Sequence, residues 1–280
     1  MKDLSNENVI HVKKDDIEYI QFRKLLEYKE IIHCYTLKTC ELNFRSYNDE
    51  KKKEIVENNY KRICDELYID YKDVIRPFQM HTDNVAFVEC KTEVRPDIYS
   101  DNYRDTDGVI TNKKDIILAT TNADCVLIML YDPERKVIAN IHAGWRGTFK
   151  KIALKTIKMM KEKYDSKPEN ILCFICPAIR KCHFEVQDDV KIECEKIFEY
   201  TNRIEDIISI GEVKDGTQRY FIDNVLINKI LLAEAGVKEE NIYDSNICSV
   251  CNSDLVHSRR ADGAENFGLG TALINLCWHL

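Results

Sequence analysis

Short apolar runs with β-branched residues alternate with stretches of helical periodicity along the middle of the chain. The strand-like runs lie at residues 85–89, 116–121, 125–131, 137–142 and 171–176. Apolar residues recur at helical spacing within residues 147–164, 188–200 and 223–235. Strands interleaved with helices in this way predict a mixed α/β fold, an α+β sandwich of mixed sheets flanked by helices.

Composition adds that the chain forms one compact unit. Among 280 residues there are 9 glycines and 5 prolines, with no low-complexity linker that would mark a domain boundary. The apolar share of 44% and the charged share of 32% are ordinary for a globular protein. We therefore expect a single compact domain with its own core.

The net charge limits the classes of binding partner, and the cysteine content bears on the cellular compartment. The 41 basic and 48 acidic residues give a net charge of −7, so no general positive field attracts nucleic acid or anionic lipid, and an anionic substrate must be held locally. No apolar run reaches the roughly 18 residues of a membrane span, and no signal-type stretch follows the start. We predict a cytoplasmic protein whose 12 cysteines are mostly buried, reduced thiols. The sequence sets no oligomeric state.

Three residues at the ends of predicted strands have the chemistry of metal ligands. His81 precedes one strand, Cys125 opens another and His142 closes a third. Strand ends can bring side chains from distant sequence positions together at one rigid site. Two imidazoles and one thiolate form a zinc set with an open fourth position, which favours a metal-dependent enzyme.

The turn after His142 adds groups suited to an anion and an aromatic base. Gly144 and Gly147 permit close backbone approach, Trp145 offers a ring face, and Arg146 offers a planar cationic fork. A predicted helix follows, and helix N-termini favour anions. The turn is therefore a candidate substrate site beside the metal.

Several strings resemble one known family. They are Ala-Asp-Cys at 123–125, Ile-His-Ala-Gly-Trp-Arg-Gly at 141–147 and His-Phe-Glu-Val at 183–186, with supporting segments at 79–81, 107–111 and 258–262. Together they resemble the laccase-domain family, also called YfiH-like or multicopper polyphenol oxidase-like proteins. The resemblance spans about residues 30–278. It implies a YfiH-like catalytic domain at 30–280, after an N-terminal extension at 1–29.

This resemblance implies a zinc-dependent purine nucleoside phosphorylase. The substrates would be phosphate with adenosine, inosine, guanosine or methylthioadenosine, and hydrolytic deamination of adenosine is a further activity of the family. The family's zinc ligands match His81, Cys125 and His142, the residues selected above by ligand chemistry. The chain departs from the family pattern in the loop 36–43, which lacks an arginine and paired glycines, and at Leu269, where an arginine is usual. If those arginines bind phosphate or ribose, the departures alter substrate choice.

Roles follow for two groups of residues. The expected catalytic residues are Cys125, His142, Arg146 and Asp124. The expected substrate-binding residues are Gln79, Trp145, His183 and Arg260. Asp124 has two interpretations, a proton shuttle or an anchor for the turn beside Cys125. If the segment around Arg260 is extended, Arg260 rather than the adjacent Arg259 points into the site.

Three other functions come into consideration, and the histidine count disfavours one of them. Cys125 with a histidine base would make a thiol hydrolase, acting for example on amide bonds of cell-wall precursors. A copper oxidase would need about ten histidines, whereas the chain has 7. A non-enzymatic, partner-binding role is the third.

A second zinc site is also conceivable from cysteine spacing. Cys173-x-x-Cys176 and Cys248-x-x-Cys251 together have the spacing of a four-thiolate site. The first pair lies in a strand, however, where residues three apart face opposite sides, so this combination is disfavoured. Cys182 is expected to pack rather than to bind.

Overall fold

The computed structural model describes residues 2–39, 41–45, 50–91 and 103–277. Its strands in chain order are β1 (Val9–Lys14), β2 (Ile17–Phe22), β3 (Ile31–Thr36), β4 (Val74–Ile75), β5 (Val85–Phe87), β6 (Gly108–Thr111), β7 (Ile117–Asn122), β8 (Val126–Asp132), β9 (Val137–Ala143), β10 (Leu172–Ile175), β11 (Glu185–Val186), β12 (Ile208–Lys214), β13 (Thr217–Ile222), β14 (Ile242–Asp244) and β15 (Gly270–Leu276). The helices are α1 (Glu50–Glu66), α2 (Trp145–Phe149), α3 (Ile152–Tyr164), α4 (Asp188–Phe198), α5 (Ile204–Ile207), α6 (Asn224–Glu234) and α7 (Arg259–Asp262).

Two large sheets and one small sheet organise these strands. The first sheet has the order β1-β2-β3-β15-β7-β4 and the second β14-β10-β8-β9-β6-β5. Both are mixed, because the edge pairs β4–β7, β5–β6 and β10–β14 are parallel whereas the central pairs are antiparallel. The small sheet, β11-β13-β12, is antiparallel.

The large sheets pack face to face, with helices on their outer faces. Alternation along β8 shows the arrangement: Leu127 and Met129 lie in the core between the sheets, while Ile128 and Leu130 lie in the core beneath α3 and α6. A strand buried on both faces is apolar throughout, as β8 is. A third core lies between the first sheet and α1. The layers are therefore helix, sheet, sheet and helices.

The predicted fold class is confirmed, and the predicted strands and helices are all present with small shifts in their ends. One helix differs: the stretch predicted over 147–164 is two helices, because Lys151 adopts a left-handed φ of 62° between α2 and α3. Residues 9–22 form β1 and β2, and β2 pairs with β3, which joins both strands to the first sheet. The boundary at residue 30 stays a prediction, and residues 278–280 lie outside the described part.

In the described part of the chain, no helix is both long and apolar enough to cross a membrane. The cytoplasmic location stays a prediction.

Candidate metal and substrate site

The sheet register brings the three predicted ligands together. Cys125 directly precedes β8, and His142 lies in β9 opposite Leu127. His81 lies in the loop before β5, with a positive φ of 60°. The ligand atoms of His81, Cys125 and His142 lie within 4.8 Å of one another, with Cys125 Sγ 3.7 Å from His81 Nε2. We call these three residues the ligand triad.

One buried carboxylate orients two members of the triad. Asp107 Oδ1 accepts from Nδ1 of His142 at 2.7 Å and from the backbone N–H of His81 at 3.0 Å. Its Oδ2 accepts from the backbone N–H groups of Met80 and Thr82. Because Nδ1 of His142 is engaged, Nε2 is the nitrogen left for a metal, and a carboxylate behind a ligating histidine raises its basicity.

A glycine leaves the space that the triad requires. A Cβ on Gly144 would lie 2.8 Å from Cδ2 of His81 and 3.3 Å from both Sγ of Cys125 and Cε1 of His142. Any side chain here would therefore displace a ring or the sulfur. The glycine predicted to permit close backbone approach is the one at the centre of the triad.

The triad is electrostatically coupled. Burial disfavours the Cys125 thiolate, but the adjacent His142 and His81 more than compensate and lower the pKa of Cys125 to about 6. Burial likewise disfavours a charged His142, yet the Cys125 thiolate and Asp107 raise the pKa of His142 to about 10. The thiolate is thus available near neutral pH, and a metal would displace the His142 proton.

These residues fit a metal ion by their donor set. Two imidazole nitrogens and one thiolate lie close together beside Gly144, where the absence of a side chain leaves room for them. Asp107 fixes the orientation of the His142 ring. Three protein ligands are the number that leaves a coordination position for substrate or water. The structure supports a metal-binding cluster without specifying the metal.

A cavity of about 820 Å³ opens over the triad. Its lining combines cations with aromatic rings: Arg45, Arg146, Arg259, Arg260, Phe78, Trp145, Phe184 and Phe267. Asp124 is the one carboxylate among the described residues that line it. A net-negative chain thus has a locally cationic, partly aromatic cavity, which suits a substrate with an anionic group and a flat ring.

Trp145 and Arg146 lie where the turn predicted them. Both line the cavity at the start of α2, and the Arg146 guanidinium carbon lies 4.2 Å from the centre of the Trp145 ring. The exposed Arg146 side chain is held by this cation–π contact. Their roles toward substrate stay predictions.

The segment that contains Arg259 and Arg260 is helical, whereas the sequence analysis considered an extended segment. They lie in α7, a single helical turn, and both line the cavity. Arg260 donates from Nη1 to the carbonyl of His183 and from Nη2 to that of Glu185, while Arg259 lies 5.8 Å over the Phe267 ring. In a helical turn neighbouring side chains diverge by less than in a strand, so both reach one cavity.

The Asp124 carboxylate is fully engaged. Oδ1 accepts from the hydroxyls of Ser249 and Ser258 at 2.6 and 2.7 Å, and Oδ2 accepts from the backbone N–H of Arg260 at 2.7 Å. These contacts favour the interpretation of Asp124 as an anchor that ties the Cys125 turn to the C-terminal segment. Its catalytic role stays a prediction.

Gln79 is also held by the backbone. Its Oε1 accepts from the N–H of Thr121 and its Nε2 donates to the carbonyl of the same residue, each at 2.8 Å. This pair fixes the loop that carries His81 to the end of β7. Gln79 lines the cavity, and its contact with substrate stays a prediction.

His183 lies elsewhere than expected. It is absent from the described lining of the cavity, which receives the adjacent Phe184 instead. The His183 ring faces Cys182, Cys248 and Cys251, and its Nδ1 lies 3.1 Å from Sγ of Cys182. This placement does not favour the substrate-binding role, and Cys182, expected only to pack, belongs to a cluster of possible metal ligands.

Cys173 and Cys176 take no part in that cluster. Cys173 is buried beneath the helices and Cys176 between the two large sheets. The expectation that they face opposite sides of a strand is confirmed.

Sequence reasoning missed two residues of the site. Asp107 stood in a recognised segment, but its place behind His142 depends on the pairing of β6 with β9. Arg45 follows the arginine-poor loop 36–43, and its guanidinium lies 3.9 Å over the Phe267 ring at the cavity. In the sequence, the role of Arg45 was indicated only by its position two residues after the loop 36–43, which lacks the family's arginine.

Comparison with known proteins identifies the family. The model for the family described as Multi-copper polyphenol oxidoreductase laccase matches residues 36–277, and the chain belongs to this family. This laccase-like, YfiH-like family is the one that the sequence strings indicated.

Two individual relatives share about 30% or less of their aligned residues with this chain, over part of its length. The chain is 30% identical over 157 residues to the purine nucleoside phosphorylase YlmD of Bacillus subtilis, covering 56% of this chain and 54% of that protein. It is 28% identical over 181 residues to the purine nucleoside phosphorylase LACC1 of Homo sapiens, covering 61% of this chain and 38% of that protein. The match thus spans about half or less of these relatives. The crystal structure of the Bacillus licheniformis hypothetical protein YfiH superposes with a TM-score of 0.84 at 25% identity, covering 95% of this chain and 98% of that one.

Proposed function

We propose that this protein is a zinc-dependent purine nucleoside phosphorylase. The observation that carries the proposal is the cavity itself, in which arginines and aromatic rings surround a histidine, histidine and cysteine triad. The names of the relatives support the same enzyme class. Two imidazoles and a thiolate suit zinc, and an open coordination position is typical of catalytic zinc.

Phosphorolysis needs a bound phosphate, a held base and a place for the released electron pair. A phosphate oxygen forms a bond to ribose C1′ while the C1′–N9 bond breaks and its electron pair goes to the purine, which then takes a proton. Arg146, whose side chain is exposed at the cavity, would hold the phosphate, since a guanidinium fork matches phosphate oxygens. Arg260 would contribute its positive charge, because its Nη1 and Nη2 already donate to backbone carbonyls. When bound at the triad, zinc supplies Lewis acidity toward a substrate oxygen.

The aromatic side of the cavity would bind the base. Trp145, Phe184 and Phe267 offer ring faces, and stacking on such faces tolerates adenine, hypoxanthine and guanine alike. This supports a substrate range of adenosine, inosine, guanosine and methylthioadenosine rather than one strict choice.

Two cavity residues bear on the missing arginines of the family pattern. Leu269 is part of the lining, so an apolar side chain stands where an arginine is usual. Arg45 supplies a guanidinium from just beyond the loop 36–43. We expect phosphate binding to be retained and the contacts to ribose to differ.

Deamination of adenosine stays a secondary prediction. It needs a group that moves protons, and Asp124, the one carboxylate of the described lining, already accepts hydrogen bonds on both oxygens. Phosphorolysis makes less demand on such a group because phosphate is itself a proton carrier. We therefore propose phosphorolysis as the main reaction.

The test is product analysis by chromatography for the four nucleosides, with and without inorganic phosphate. Free base and ribose 1-phosphate formed only with phosphate are the expected products, and inosine formed from adenosine in either condition would report deamination. Removal of metal with a chelator should abolish turnover, and added zinc should restore it.

A thiol hydrolase is the competing function, because a Cys125 thiolate beside two histidines is also an activated nucleophile. Such an enzyme would survive the chelator, lose activity on thiol alkylation and leave all four nucleosides unchanged. Cleavage of an amide substrate with that inhibition pattern would replace the phosphorylase proposal.

A further inference from the structure

A second group of metal-ligand side chains lies outside the triad. It consists of Cys182, His183, Cys248 and Cys251, whose ligand atoms all lie within 4.8 Å of one another. Nδ1 of His183 is 3.1, 3.7 and 3.5 Å from the sulfurs of Cys182, Cys248 and Cys251. The sulfur of Cys182 is 3.7 Å from that of Cys248 and 4.0 Å from that of Cys251. We call these residues the thiolate cluster.

These separations match the edges of a zinc tetrahedron. With Zn–S near 2.3 Å and Zn–N near 2.05 Å, ideal tetrahedral angles place two sulfurs about 3.8 Å apart and a sulfur and a nitrogen about 3.5 Å apart. A disulfide would instead need sulfurs about 2.05 Å apart. The four side chains thus surround one common point rather than forming a pair.

The backbone around the cluster is built to hold it. Cys248 and Cys251 have the two-residue spacing of structural zinc sites. A parallel β-bridge, formed by the backbones of Ala178 and Cys248, joins this turn to the segment that leads to Cys182. The N–H of Ser249 donates to the carbonyl of Ala178, which fixes the register of the two segments.

We propose that Cys182, His183, Cys248 and Cys251 bind a second zinc ion in a closed, four-ligand site. Three sulfurs and one nitrogen in a tetrahedral arrangement select zinc over harder cations, and four protein ligands leave no position for substrate. The site would therefore be structural. The inference does not depend on the proposed phosphorylase activity.

The cluster lies directly behind one wall of the cavity. Phe184, next to His183, lines the cavity, and Arg260 donates to the carbonyl of His183. Ser249, between the two cysteines of the 248–251 turn, donates to Asp124. Zinc at the cluster would hold Phe184 and Arg260 in place without touching substrate.

The test is the zinc content of the purified, zinc-loaded chain of 280 residues and of single variants. We expect two zinc ions per chain in the wild type, one in Cys251→Ser and one in Cys125→Ala. The matched control is Cys90→Ser, which removes an exposed thiol outside both groups and should keep two. Zinc content that is the same in Cys251→Ser as in the wild type would overturn the proposal.

A measurement on the wild type covers the case in which a variant does not fold. The zinc X-ray absorption spectrum should show on average two sulfurs per zinc when both sites are filled, since one site offers three thiolates and the other one. If the triad is empty, the cluster alone gives one zinc with three sulfurs, which supports this inference and counts against the catalytic zinc. One zinc with a single sulfur, or oxidation of the cluster cysteines to a disulfide in the freshly purified protein, would overturn it.

Discussion

The Asp107 carboxylate links two ligand residues that are 61 positions apart in the sequence, His81 and His142. It is fully buried, and its pKa is lowered because the hydrogen bonds and charge of His142, with the Thr82 contacts, outweigh the effect of burial. A neutral amide could not accept all of these hydrogen bonds, since half of its polar end is a donor.

Asp107→Asn should therefore lower zinc affinity at the triad by roughly 10- to 100-fold and destabilise the fold by about 1–3 kcal/mol. Chelator competition and denaturant unfolding measure the two effects. Asp105→Asn is the matched control, because Asp105 is exposed and asparagine tolerates its φ of 50°. Wild-type affinity in Asp107→Asn would show that His142 needs no carboxylate behind it.

Gly144→Ala tests the space at the centre of the triad. The added methyl group would lie only 2.8 Å from the His81 ring and 3.3 Å from the Cys125 sulfur, so these ligands would have to move apart. We therefore expect a folded protein that loses the triad zinc. Gly216→Ala provides the comparison, since it strains a turn with φ 72° in the β12–β13 hairpin, where a Cβ meets nothing within 4 Å. That variant should lose stability, as measured by thermal melting, and keep all of its zinc. Retention of triad zinc in Gly144→Ala would contradict the geometry.

Arg146→Ala tests the phosphate side of the cavity. Loss of the guanidinium that would stabilise phosphate charge at the cavity should lower kcat/KM for phosphate by about 10²-fold with little change in melting temperature. Arg203→Ala, which removes an exposed arginine paired with Asp206, should leave the kinetics unchanged. Wild-type kinetics with a lowered melting temperature would assign Arg146 to the turn alone.

Residue types and the family resemblance together predicted the ligand triad, and the structure brings the three ligand atoms within 4.8 Å of one another. That they bind a metal stays a prediction. The thiolate cluster and the hydrogen bonds of Asp124 could not be predicted in the same way. They depend on the 248–262 segment returning to the turn at Asp124, a long-range contact that leaves no local periodicity in the sequence.

At the scale of elements, the end of β14 is fixed by a buried ion cluster. Asp244 is 5% exposed and pairs with Arg180 and Lys229. Burial would raise its pKa, but these cations and the N–H of Asn246 lower the pKa of Asp244 to about 2. Arg180 begins the segment that leads to Cys182, so this cluster supports the wall of the cavity.

Asp244→Asn should destabilise the protein by roughly 2 kcal/mol at neutral pH. A carboxyl whose pKa is lower in the folded than in the unfolded state stabilises the fold above its ordinary value of 3.8, and this contribution is lost as the pH falls toward about 2. The difference between variant and wild type in denaturant unfolding should therefore shrink between pH 4 and pH 2. Asp206→Asn, at a surface pair, should differ from wild type by less than about 0.5 kcal/mol. A difference that persists unchanged at low pH would contradict the ion cluster.

The predicted strands and helices were those with strong periodicity and burial. The break between α2 and α3 was missed because Lys150 and Lys151 continue a helical pattern while the backbone turns left-handed at Lys151. The β12–β13 hairpin was missed because its strands are largely exposed and lack a clear apolar alternation, although its Asp215-Gly216 turn is typical of a hairpin.

For the whole molecule, strands interleaved with helices predicted a sandwich of mixed sheets flanked by helices, and the four layers agree with this. The order of strands within each sheet could not be predicted, because β15 at the C-terminal end lies between β3 and β7. The charge argument holds at this scale as well. A chain of net charge −7 concentrates arginines in one cavity, so its attraction for an anion is local.

The most direct test of the central claim is the phosphate dependence of inosine cleavage by zinc-loaded protein, followed by phosphorus NMR and by chromatography of the base. The account predicts hypoxanthine and ribose 1-phosphate in equal amounts, formed only with phosphate, abolished in Cys125→Ala and retained in Cys90→Ser. Inosine left intact at every phosphate concentration, or hypoxanthine released with free ribose irrespective of phosphate, would contradict it.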